Sequence, residues 1–76
     1  MKFIYIKWFD SCYDRGSLQK KDIKDTVVLE NIGFLIKETK ESFCMALEYC
    51  EEWDNYRYII SIPKVNIIKK KIRNIN

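Results

Sequence analysis

The chain has 76 residues, 47% of them apolar and 14% aromatic, and its 14 Lys and Arg outweigh 11 Asp and Glu for a formal charge of +3. This apolar content excludes a disordered chain, and the length excludes more than one domain, since so short a chain buries only about 60% of its unfolded surface around a single core. There is no histidine, and Cys12, Cys44 and Cys50 show no CxxC spacing, so neither a metal centre nor a Cys-His nucleophile is on offer.

Residues 2 to 10, KFIYIKWFD, are rich in aromatic and β-branched types, and alternation puts Ile4, Ile6 and Trp8 on one face of a first strand. The connection over 11 to 28 opens with the turn residues SCYDRGS and is long enough for one short helical turn, which Asp22 is placed to cap. A second strand, LENIGFLIKE at 29 to 38, sets Ile32, Phe34 and Ile36 against Gly33 and Leu35. Apolar residues on both faces predict a central, doubly covered strand. Gly33 within it marks a bulge, a close backbone approach or a sharp bend.

The stretch SFCMALEY has the clearest alternation: Phe43, Met45, Leu47 and Tyr49 form a core face against Ser42, Cys44, Ala46 and Glu48. Its residue types also suit a helix, but the period of two favours a strand. In YRYIISIP, Tyr58, Ile60 and Ile62 alternate against Arg57, Ile59 and Ser61, and Pro63 removes a ladder donor and ends the fourth strand. KVN is short enough for a tight turn or one 3₁₀ turn. IIKKKIR then places Ile68 and Ile72 on one face of a last strand. The expectation is a single small β domain over residues 1–76. It is mainly all-β: either a five-stranded SH3-like or Sm-like barrel or a strongly curled antiparallel sheet, with hairpins at TKE and EEWDN.

Apolar runs such as Ile59-Ile60 and Ile67-Ile68 fall far short of the roughly 20 residues a membrane helix needs, and the start of the chain has no signal-peptide core. A soluble, cytoplasmic protein with reduced, structural cysteines is expected. Without histidine, acid-base chemistry near neutral pH needs a strongly shifted carboxylate or lysine, so no enzyme and no cofactor are expected.

Charge becomes informative when it is divided by segment. Residues 41 to 56 hold Glu41, Glu48, Glu51, Glu52 and Asp54 with no cation, and residues 57 to 76 hold Arg57, Lys64, Lys69, Lys70, Lys71 and Arg73 with no acid. Such poles steer a charged partner or meet across a homo-oligomer; adjacent hairpin strands that neutralise each other are the plainer alternative. For nucleic acid, the lysines and Arg73 would combine with exposed Tyr5, Tyr56 and Trp53 as stacking surfaces. Alternation divides Lys69 and Lys71 from Lys70, however, and lysines on a terminal strand also guard a sheet edge. Asp10, Asp14 and Arg15 read as turn residues before catalytic ones. Trp53, at a hairpin tip among acids, is either a protein-binding anchor or a lid folded over the barrel mouth. The candidate contact residues are Trp8, Asp10, Trp53, Tyr58, Lys64, Lys69, Lys71 and Arg73.

The ordered set KWFDS, NIGFLIKE, MALEY and SIPKVNII resembles small uncharacterised proteins of bacteriophages and prophages that share a Trp-x-Asp first strand, a Gly-Phe-Leu second strand and an Ile-Pro-Lys segment before an Ile-rich last strand. The resemblance implies a phage accessory protein that acts in the host cytoplasm against a bacterial defence, by binding a host or phage protein. Two alternatives stay open: sequestration of a nucleotide second messenger at a subunit interface, with phosphates on Lys64, Lys69 or Arg73 and the base on Trp8, Tyr58 or Trp53, and binding of single-stranded nucleic acid.

Overall fold

Five antiparallel strands form one sheet in the computed structural model, which describes residues 1–11, 19–22 and 26–75. They are β1 (Lys2–Ser11), β2 (Thr26–Glu38), β3 (Ser42–Cys50), β4 (Asn55–Pro63) and β5 (Ile67–Asn74), in the order β4-β3-β2-β1-β5. One 3₁₀ turn, Lys20–Asp22, lies in the first connection and another, Lys64–Asn66, joins β4 to β5. The chain is therefore all-β with the expected five strands. Of the two architectures anticipated, the open curled sheet is the one found: β4 and β5 are its edges and no ladder joins them. An extent of 50 × 24 × 20 Å fits a long ribbon curled at one end better than a closed barrel. Asp22 is the last residue of its turn and so does not occupy the N-cap.

The core lies on the inner face of the curl. Ile4, Ile6 and Trp8 of β1 meet Phe43 and Met45 of β3 and Ile62 of β4, and Leu35, Ile60, Ile67 and Ile72 pack around them. Only a curled sheet brings β3 and β4 against β1 across the intervening β2. Two bulges help it bend. One leaves Ile36 unpaired between Leu35↔Met45 and Lys37↔Cys44. The other leaves Ile68 unpaired, because Lys7 faces Lys69 while Trp8 already faces Ile67.

The period-two reading is corrected in three places, the first of them by a bulge. Ile67 takes the core position expected of Ile68, which is exposed. β2 is central but not covered on both sides, since Ile32 is 65% exposed. Leu47 is exposed while Cys44 and Ala46 are buried, because β2 accompanies β3 no farther than Phe34↔Ala46 and the remaining hairpin has no sheet beside it. Gly33 is no bulge: it lets the β3 backbone approach, and a Cβ there would lie 2.4 Å from the Ala46 carbonyl oxygen.

Both hairpins fall where the turn residues put them. In the first, the Thr39 hydroxyl accepts from the Ser42 amide at 3.0 Å and the Thr39 amide donates to the Ser42 carbonyl at 2.8 Å. In the second, Asp54 takes the left-handed conformation, φ 46°, that a tight turn asks for and aspartate tolerates. Its carboxylate accepts from the Tyr49 hydroxyl at 2.8 Å.

Candidate functional site

Residues directly opposite one another on antiparallel strands share a face, so the ladders sort the polar side chains. Opposite the core, the outer face of β2, β1 and β5 reads in rows. Phe34, Phe3 and Arg73 form the first row, Ile32, Tyr5 and Lys71 the second, Glu30, Lys7 and Lys69 the third, and Val28 and Phe9 the last. Lys69, Lys71 and Arg73 thus make one basic column on β5. Beside it runs the β1 column Phe3, Tyr5, Lys7 and Phe9, in which Phe3 is 42% and Phe9 46% exposed.

Two rings of this face are held in place. Phe34 lies against Phe3 with 5.3 Å between ring centroids, and the Tyr5 hydroxyl donates to Glu30 Oε1. That hydrogen bond is the main reason the Tyr5 phenol ionises above its ordinary range, and partial desolvation and the Glu30 charge add to it. A shallow groove of about 280 Å³ lies between the columns, lined by Phe3, Tyr5, Ile32, Lys71 and Arg73.

The inner side holds a second basic cluster at the seam between β3 and β5. Lys64 and Lys70 each place Nζ 5.0 Å from the centroid of the buried Phe43 ring, a distance at which an ammonium is attracted to the ring quadrupole. Lys64 also donates to Glu38. This bond holds the Glu38 carboxyl below its ordinary pKa, with Lys64, Lys70 and Lys2 adding favourable charge against some desolvation. The adjoining cleft, about 330 Å³, is walled by Ile67, Ile68 and Lys69.

The tip of the β3–β4 hairpin is the third region. Trp53 is 72% exposed there and does not fold back over the sheet. A cavity of about 530 Å³ lies beside it, lined by Glu48, Tyr49, Cys50, Asn55 and Arg57. Arg57 pairs with Glu48 at 3.1 Å, so part of the acidic run is neutralised within its own hairpin.

The structure therefore disperses the candidate contact residues. Lys69, Lys71 and Arg73 come together on the outer face. Lys64 lies on the other side of the sheet with Lys70, and Lys69 borders both clusters. Trp53 and Tyr58 belong to the hairpin, where Tyr58 is exposed with φ 57° and Arg57 lies 5.7 Å from its ring centroid. Asp10, half-buried, sits near the end of β1 opposite Val27. Trp8 is corrected from a contact residue to a core residue: it is 5% exposed, and its indole donates to the Asn31 amide oxygen at 2.8 Å. Asp14 and Arg15 lie outside the described residues.

Sequence reasoning missed Phe3, Phe9, Ile32 and Lys7. The signal was present, because the alternation that buries Ile4, Ile6 and Trp8 also turns Phe3, Tyr5, Lys7 and Phe9 outward. Among the described residues no group of acids or cysteines is arranged to hold a metal, and no helix is long and apolar enough to cross a membrane. The chain matches no family model, no curated protein and no solved structure.

Proposed function

We propose that this chain is a non-enzymatic binding module that takes an anionic partner on the outer face of β2, β1 and β5. The observation that carries the reading is the register of Lys7 with Lys69, beside Lys71 and Arg73. Lysines on β5 alone have a sufficient explanation as guards of a sheet edge. Lys7 is not at an edge, because β1 has a neighbour strand on each side, and although Glu30 opposite it on β2 balances one cation of the row, Lys69 is left over. Like charges directly across a ladder are destabilising by a few tenths to about 1 kcal/mol. Glu30 on the other side of Lys7 offsets part of that repulsion; a polyanion that neutralises both lysines removes the rest, and the four cations outweigh Glu30 and steer it to the face. The resemblance to phage proteins supplies the setting, an accessory protein working in the host cell.

The test is a titration of fluorescently labelled inorganic polyphosphate. Binding that is tight at low salt and falls steeply as salt rises is expected, and the doubly substituted Lys7→Gln, Lys71→Gln protein should lose most of it. Flat titrations of the native protein at low salt would remove the reading.

Trp53 favours a second reading, in which the partner is a host or phage protein with a pocket for an indole, since tryptophan is among the commonest anchors of protein interfaces. In that case Trp53→Ala weakens the complex and Lys71→Gln does not. The nucleotide-sequestration reading has less support, because it calls for Trp8 or the hairpin aromatics beside the β5 cations.

A further inference from the structure

We infer that the anionic partner is single-stranded nucleic acid, with unpaired bases against Phe3, Tyr5 and Phe9 and phosphates along Lys69, Lys71 and Arg73. The inference rests on the anion-binding reading above and adds to it the chemistry of the partner. Cations alone recognise any polyanion. An acidic protein surface or polyphosphate gives the β1 column nothing to do, yet that column keeps Phe3 nearly half in water one row from the exposed Ile32 and Phe9 nearly half in water opposite the exposed Val28, apolar surface that a partner would cover. Nucleic-acid bases present flat π surfaces to such rings, and successive bases stacked on aromatic side chains next to a cationic groove are the usual means of holding a single strand.

The spacing supports this assignment. Neighbouring strands lie about 4.8 Å apart and alternate residues about 6.7 Å apart, so each cation of β5 stands one strand away from a side chain of β1. Arg73 faces Phe3, Lys71 faces Tyr5 and Lys69 faces Lys7. A strand laid along β5 therefore meets charge and ring in the same row at Phe3 and Tyr5, and Phe9 lies one row beyond the last of these cations. From Phe3 to Phe9 the column runs about 20 Å, room for roughly four nucleotides, the lower end of the site sizes of single-strand binders. Phe34 behind Phe3 and Glu30 at the Tyr5 hydroxyl hold their rings in place, which reduces the entropy lost on binding. Duplex ends the match, because paired bases are stacked on one another and offer the rings no free face.

The experiment compares four labelled probes on the native protein by fluorescence anisotropy: a 12-nucleotide oligo(dT), an abasic strand of equal length and charge, the oligo(dT)·oligo(dA) duplex, and polyphosphate. Oligo(dT) should bind at least about fivefold more tightly than the abasic strand or the duplex, the smallest effect expected of one stacked base. With four phosphate contacts, the logarithm of its binding constant should fall against log salt with a slope of about −3. Phe9→Ala should weaken oligo(dT) by a similar factor and leave polyphosphate unchanged. The abasic comparison needs no variant and stands even if Phe9→Ala fails to fold. Equal binding of oligo(dT) and the abasic strand would overturn the nucleic-acid assignment and leave anion binding intact, as would polyphosphate binding more tightly than oligo(dT). Equal binding of duplex would overturn the single-strand preference, and failure of every probe would overturn both readings.

Discussion

Replacing Gly33 by alanine tests whether β2 and β3 touch through their backbones. The added methyl would lie 2.4 Å from the Ala46 carbonyl oxygen and 2.8 Å from Met45 Cε. The Met45 methyl ends a flexible side chain and swings away. The carbonyl does not, because Ala46 is laddered to Phe34 on one side and to Ile59 on the other. Overfilling a packed site costs about 1–3 kcal/mol, and the upper part of that range applies where backbone must shift. Alanine also reduces the freedom of the unfolded chain, which returns about 0.4–1 kcal/mol. The net loss is about 2 kcal/mol, or a melting temperature lowered by roughly 8–16 °C in a domain of this size. Urea denaturation should show a lower midpoint with an unchanged m-value. An unchanged or raised midpoint would refute the close-approach argument. In a Met45→Ala background the penalty should persist; its disappearance would identify the methionine methyl, and not the carbonyl, as the obstacle.

Three further outcomes follow from charge. Glu38 has a lowered pKa in the fold, so its ion pair with Lys64 stabilises above the ordinary glutamate value of 4.5 and is lost as pH falls through the folded value; in acid titrations followed by circular dichroism, Glu38→Gln should remove part of that loss, and identical acid limbs would refute the role. Tyr5 has a raised pKa, so its bond to Glu30 contributes below the ordinary phenol value of 10.0 and is lost as pH rises through the folded value; ultraviolet titration should show a late-ionising tyrosine that disappears in Tyr5→Phe, leaving Tyr49, raised by its bond to Asp54, as another. Lys69→Glu turns a like-charged pair with Lys7 into an attractive one, so it should stabilise the fold by up to about 1 kcal/mol while weakening polyphosphate binding; a variant both less stable and equally able to bind would contradict the proposed use of this face.

Much of the fold was legible because alternation survives wherever a strand has neighbours on both sides. Ile4, Ile6 and Trp8 on β1, and Phe43 and Met45 on β3, lie where period two puts them. Pro63 ends β4, and TKE and EEWDN mark the two hairpins, because turn chemistry is local. The failures are where pairing stops or slips. Leu47 keeps its parity but has lost the strand that would cover it, and Ile68 keeps its spacing but is displaced by a bulge that only the β1 partner reveals. Long-range register is not written in either segment alone. The candidate site was partly legible for the same reason: alternation separated Lys70 from Lys69 and Lys71, but what stands beside the latter two depends on β1.

That neighbour changes the meaning of the separation. On a lone strand, lysines split between two faces dilute a binding surface. In the sheet, the split sends Lys70 inward to Phe43, where Lys64 joins it, and leaves Lys69, Lys71 and Arg73 in line with Tyr5, Phe3 and the additional cation Lys7. The acidic run is kept away from this line by the same geometry. Beyond Ala46 the β3–β4 hairpin leaves β2, so Glu51, Glu52 and Asp54 fall at a free tip while Glu48 is held by Arg57. The acids of the tip are thus set apart from the basic line, while Glu30, Glu38 and Glu48 each stand beside a cation. In the proposed binding mode, an anionic strand approaching the sheet would be drawn to β5 and repelled from the tip, a field that would favour one orientation on the outer face.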